Sequence, residues 1–145
     1  MTDTEILAAI LRREGGYVYD PADRGRCTNR GITIQTLREW RGQPVTCDDV
    51  RLMAEAEAKD IYRARYLRPF DGVEETVKGQ VVDIAVNAGV SRARALLALA
   101  QQHPERPLNT QLVIERLKHY GRIVHADASQ ARFINGWIAR AVEFL

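Results

Sequence analysis

No stretch of this sequence approaches the roughly 18 consecutive apolar residues that a membrane-crossing helix needs, so no stable membrane insertion is expected. Its start, MTDTEILAAILRREGG, has no basic region followed by an apolar core and does not read as a Sec-type signal peptide. Cysteine is scarce. Cys27 and Cys47 match neither a zinc spacing nor a C-x-x-C motif. Two reduced thiols are the expectation for them, with a single disulfide as the alternative. His103, His119 and His125 lie far apart and outside H-E-x-x-H or any comparable ligand pattern, which argues against a zinc site. Asp20, Asp23 and Asn29 supply oxygen ligands, but not in the register of an EF-hand. There is no G-x-S-x-G elbow and no P-loop, which removes serine-hydrolase and nucleotide-triphosphate chemistry of those types. Neither sign of charge dominates, and the formal net charge is +2. The basic residues are spread along the chain rather than gathered in a patch, so a helical nucleic-acid binder is the weakest reading.

What is present suits a soluble, mainly α-helical protein. The 145 residues are 46% hydrophobic and 28% charged, enough for one domain, 1–145, with its own core. Ile6, Leu7, Ile10 and Leu11 recur as one buried helix face, with Thr2, Asp3 or Thr4 as its cap and Gly15-Gly16 as its end. Residues 15–34 are rich in glycine, aspartate and asparagine and read as a loop or a short irregular hairpin. A short helix follows from Ile34 to Trp40. Thr46 then caps a long helix whose stripe is Val50, Met53, Ala54, Ala58, Ile61 and Tyr62, ending before Pro69. Residues 73–102 are too apolar for a surface helix and predict a buried helix pair broken at Gly89. Leu112–Val124 and Ser129–Leu145 predict two last helices. Ser129 is the expected cap of the second, and Phe133, Ile134, Trp137, Ile138 and Val142 its inner face.

The segment REGGYVYDPADRG, from Arg13 to Gly25, raises the chemical question. Glu14 sits at the C-terminal end of the first helix, where the negative pole of the dipole disfavours a charged carboxylate and so favours a proton donor. The flanking glycines allow a polymer to approach the backbone closely. Asp23 lies in a loop able to fold back over Glu14, and Thr28 follows it. An acid, a second carboxylate and a hydroxyl to hold water are the equipment of glycoside hydrolysis. On the residues alone the simpler reading prevails, with Glu14 as a surface residue and Asp20 and Asp23 as turn formers. Asp83 and Asn87 share one face of an apolar helix. A buried hydrogen-bond network is the expectation there, and a cleft wall in contact with substrate is the alternative.

Four blocks in order alter that balance. They are Glu14-Gly15-Gly16-Tyr17-Val18 through Asp23 and Thr28-Asn29 to Gly31-Ile32-Thr33; Ala58-Lys59-Asp60-Ile61-Tyr62-Arg63 with Tyr66; Asp83-Ile84-Ala85-Val86-Asn87-Ala88-Gly89; and Phe133-Ile134-Asn135-Gly136-Trp137-Ile138-Ala139-Arg140-Ala141. Together they resemble glycoside hydrolase family 108, the lysozyme-like muramidases that include phage endolysins. The resemblance implies a lysozyme-like helical fold with a short irregular or β-hairpin segment after the first helix. It implies cleavage, without metal or cofactor, of the β-1,4 bond between N-acetylmuramic acid and N-acetylglucosamine in bacterial peptidoglycan. Glu14 becomes the catalytic acid, Asp23 and Thr28 its partners, and Tyr17, Asn29 and Asn87 the candidate sugar contacts.

The expected protein is a monomeric phage or prophage endolysin. It would be made in the host cytoplasm and act on the wall in the periplasm after release, for example through a holin. Arg26 and Arg30 stand where relatives usually carry a glycine and an aromatic residue. They motivate the alternative of a catalytically impaired wall-binding or scaffolding module with the same fold.

Overall fold

The computed structural model describes residues 1–23 and 26–145, and for Asp23 the backbone alone. Two compact units make up the chain, one spanning Thr2–Pro69 and the other Phe70–Leu145 together with Met1.

In the first unit, Thr2 caps helix α1 (Asp3–Glu14). Its hydroxyl accepts from the Glu5 amide while the Glu5 carboxylate accepts from the Thr2 amide, a reciprocal capping box. Ile6, Leu7 and Ile10 are buried as the periodicity predicts, and Gly15, with φ of 72°, ends the helix. The glycine-rich stretch takes the hairpin alternative and adds a third strand to it. Strands β1 (Val18–Asp20), β2 (Arg26–Asn29) and β3 (Ile32–Thr33) form an antiparallel sheet in the order β1-β2-β3. Asp20 is a turn former here, its Oδ1 accepting from the Ala22 amide at 2.9 Å. Between β2 and β3 a two-residue turn, Arg30-Gly31, closes the Asn29–Ile32 pair. Both turn residues have positive φ, 54° and 78°, which the right-handed twist of a tight hairpin requires.

Thr33 caps α2 (Ile34–Arg41), and Gly42 ends it in the left-handed region with φ of 67°. The long helix expected from Thr46 is instead two. Thr46 caps α3 (Cys47–Arg51), and α4 (Glu55–Tyr62) starts anew after Ala54, whose backbone is extended. The reason lies in Asn29. Its Nδ2 donates to the carbonyls of Val50 and Arg51 at 3.0 and 3.1 Å, taking the acceptors that a continuing helix would use. A π-helical turn (Arg63–Leu67) and a 3-10 turn (Arg68–Phe70) follow α4, so the chain turns without a clean stop before Pro69.

Reduced thiols were the wrong expectation for the cysteines. Cys27 and Cys47 form a disulfide, because β2 and the start of α3 lie side by side with Cα atoms 5.8 Å apart. Sequence alone carries no signal of that adjacency.

The second unit is built on the predicted pair, α5 (Glu75–Ala88) and α6 (Val90–Ala100), broken at Gly89 with φ of 93°. Every residue from Val77 to Ala85 is buried. Helix α7 (Leu108–Ala126) begins earlier than expected, because the Pro107 carbonyl accepts from Gln111 and opens its first turn. The final segment also differs. Asp127, not Ser129, is the cap, and a 3-10 stretch (Ala128–Phe133) precedes α8 (Ile134–Val142). None of the five residues of the expected inner face of the last helix is fully buried. Ile134 and Trp137 are half-buried and Phe133, Ile138 and Val142 are exposed, while Ala141, outside that set, is buried. Of the five, only Phe133 falls in the 3-10 stretch, whose tighter turn takes it off the α-helical stripe that the other four keep within α8.

Candidate active site

Glu14 is the last residue of α1 and is half-buried. The hairpin turn between β2 and β3 presses against it. A Cβ placed on Gly31 would lie 2.7 Å from Glu14 Oε2, 3.0 Å from Glu14 Cβ and 2.5 Å from the Tyr62 hydroxyl. Positive φ and lack of space therefore both demand glycine at this position. From α4, the Tyr62 hydroxyl donates to the Arg30 carbonyl at 2.5 Å, fixing the turn that touches the carboxylate. Tyr62 is only 3% exposed. Burial, then the nearby Glu14 charge, then Tyr66 push its phenol well above the usual tyrosine range. It is a fixed donor. Tyr66 packs its ring against Tyr62 with centroids 5.8 Å apart.

The other expected site residues distribute unevenly. Thr28 lies on β2 opposite Val18 and Thr33, on the less buried side of the strand. Asn29 points to the other side, is 7% exposed, and has its amide engaged by α3 as described above. Tyr17 is exposed in the link between α1 and β1. The Asp23 side chain, with Arg24 and Gly25, lies outside the described residues. Asn87 belongs to the second unit, near the end of α5. The structure therefore brings together Glu14, Gly31 and Tyr62, of which sequence reasoning had singled out Glu14 alone. Gly31 appeared only as part of a signature and Tyr62 only as a stripe residue. The signal available in sequence was the hairpin dipeptide ending in glycine.

The two departures from the family pattern sit apart from each other. The Arg30 guanidinium pairs with Glu55 at 3.6 Å and, with Ala8, Leu11 and Arg12, borders a hollow along α1. Arg26 lines another hollow with Thr33, Gln35 and Arg38. Among the described residues, no three His, Cys, Asp or Glu side chains are grouped as metal ligands would be.

The family model described as glycosyl hydrolase 108 matches residues 7–89. The chain belongs to that family. It is therefore a glycoside hydrolase, and the Glu14 site lies inside the matched segment. A second family model, described as "Predicted Peptidoglycan domain", matches residues 77–142 of this family member. Together the two matches make the chain a lysozyme-like protein that acts on peptidoglycan. Its structure is similar to that reported under the name "Structure of Brucella abortus SagA", with a TM-score of 0.76 and 25% identity, covering 98% of this chain and 90% of that one. Comparison with curated proteins returned no match.

Proposed function

We propose that this glycoside hydrolase is an N-acetylmuramidase that cleaves the β-1,4 bond between N-acetylmuramic acid and N-acetylglucosamine. The observation that carries the proposal is the Glu14 carboxyl group, set at the end of α1 against the backbone of Gly31 within the hydrolase-matched segment. Glu14 gives its proton to the glycosidic oxygen as the bond to the anomeric carbon breaks. To Asp23 falls the stabilisation of the positive charge that develops on that carbon, and to Thr28 the orientation of the water that adds to it. Tyr17, exposed beside Gly16, offers an aromatic face to the sugars. Asn29 acts one step back, holding β2 and hence Thr28 against α3.

In biological terms this is a phage or prophage endolysin that works as a monomer. It is made in the bacterial cytoplasm and reaches the wall after release through a lesion such as a holin makes. A turbidity assay on permeabilised Gram-negative cells tests the chemistry. Glu14→Gln should lyse them at least about a hundredfold more slowly than wild type, and equal rates would sink the assignment. Reducing-end analysis of digested sacculi should show muramic acid at the new ends, which a glucosaminidase would not produce.

A further inference from the structure

The second unit holds a group of polar side chains that the Glu14 chemistry does not use. Asp83, only 3% exposed, accepts from Arg140 Nε at 2.9 Å and from Arg116 Nη2, and its Oδ1 pairs with Arg140 Nη2 at 2.7 Å. Two guanidinium groups on one carboxylate leave an excess of one positive charge in a largely buried place. Arg116 is 1% exposed, and its Nε donates to the Tyr120 hydroxyl at 2.6 Å. Its Nη1 is buried with no hydrogen-bond partner among the described residues. An unpartnered charged donor costs folding free energy, so its retention points to a ligand that completes it.

The surroundings fit one kind of ligand. Arg116 lines a small void that shares Asn87, Ala88, His119 and Tyr120 with an adjoining cavity of about 250 Å³. That cavity is completed by Ile123, Trp137 and Arg140. Its polar groups are mostly donors. Tyr120 accepts from Arg116, which leaves its own hydroxyl hydrogen to give, and burial above all holds the phenol protonated above its ordinary range. Burial first, and then the charges of Arg92 and Arg122, push the His119 imidazole below its ordinary range, and those two charges add to the positive field. Trp137 and Tyr120 form an aromatic wall with ring centroids 5.3 Å apart. Donors, surplus positive charge and an aromatic wall suit a carboxylate attached to a sugar.

We infer that this cavity is a subsite for a free carboxylate of the peptidoglycan stem peptide, with the Trp137 indole against the adjoining amino sugar. The inference rests on the reading that the protein acts on peptidoglycan. It gives the second unit a task distinct from bond cleavage, namely to hold strands that carry uncrosslinked, anionic stems.

Isothermal titration of the full chain with purified disaccharide-tetrapeptide tests it, because that fragment is already cleaved and is not consumed. Saturable binding is expected. Amidation of the stem carboxylates, or replacement of the ligand by N,N′-diacetylchitobiose, should weaken it at least about tenfold. Asn87→Asp, which adds a negative charge without changing volume, should do the same while thermal melts show a folded protein. Trp137→Leu should weaken the muropeptide but not the tetrapeptide alone. The subsite is overturned if the amidated fragment, or folded Asn87→Asp, binds as tightly as the unmodified pair. Hydrolysis of sacculi without muropeptide binding removes the subsite and leaves the muramidase reading standing. Binding by a wild-type protein that cleaves nothing does the reverse.

Discussion

A single methyl group shows how tightly the Glu14 site is built. Added at Gly31 it would lie 2.7 Å from Glu14 Oε2 and 2.5 Å from the Tyr62 hydroxyl, on a backbone with φ of +78°. Gly31→Ala should therefore cost about 1–3 kcal/mol in stability, measured by urea denaturation. By shifting the acid, it should also slow sacculus hydrolysis by roughly tenfold to a hundredfold. Tyr62 makes a prediction about pH. Its phenol is raised by burial first and the Glu14 charge second, whereas an unfolded tyrosine loses its proton near pH 10. The folded state thus keeps a proton that the unfolded state releases. The stabilisation is whole below about pH 10 and declines as the pH rises beyond it. Tyr62→Phe should lose about 1 kcal/mol at neutral pH with its bond to the Arg30 carbonyl. It should also show a shallower fall in stability between pH 10 and 11.5 than wild type. Glu14 stood out in the sequence because its residue type and neighbours carry meaning by themselves. Tyr62 did not, because its role is a contact across many residues of chain.

Among the elements, the boundaries that hold are those with local causes. Thr2, Thr46 and the glycines at 15, 42 and 89 cap or end helices where their residue types predict it. The boundaries that moved have distant causes. Helix α3 ends because Asn29, on another strand, takes its last carbonyls. Asp83 was expected in a buried network, and the network is there, tying α5 to α7 and α8 through Arg116 and Arg140. Asp83→Asn removes the carboxylate charge shared by the Arg116 and Arg140 guanidinium groups. It should destabilise the fold by about 3–5 kcal/mol, read from chemical denaturation, far more than an exposed ion pair would. The final segment, by contrast, leaves Phe133 of the 3-10 stretch and Ile138 and Val142 of α8 exposed, and nothing in the sequence pattern distinguished them from core residues.

For the molecule as a whole, charge predicts how it meets its substrate. A net charge of +2 gives mild attraction to an anionic wall. Sacculus binding should weaken less than about tenfold between 50 and 200 mM salt, in contrast to the thousandfold or greater loss of proteins that neutralise many phosphates. Co-sedimentation at the two salt concentrations measures this, and a steep slope would revive the nucleic-acid reading.

The sequence by itself determined the helical class, the placement of most helices and the glutamate at the end of the first. Periodicity, caps and glycines act over a few residues, and family motifs are written in residue identities. Only the tertiary structure decided the Cys27–Cys47 bond, the third strand beside the hairpin, the pressure of Gly31 on Glu14 and the buried Arg116 Nη1 that meets no hydrogen-bond partner among the described residues. Each of these depends on which distant segments meet, and a linear pattern carries no distance between them.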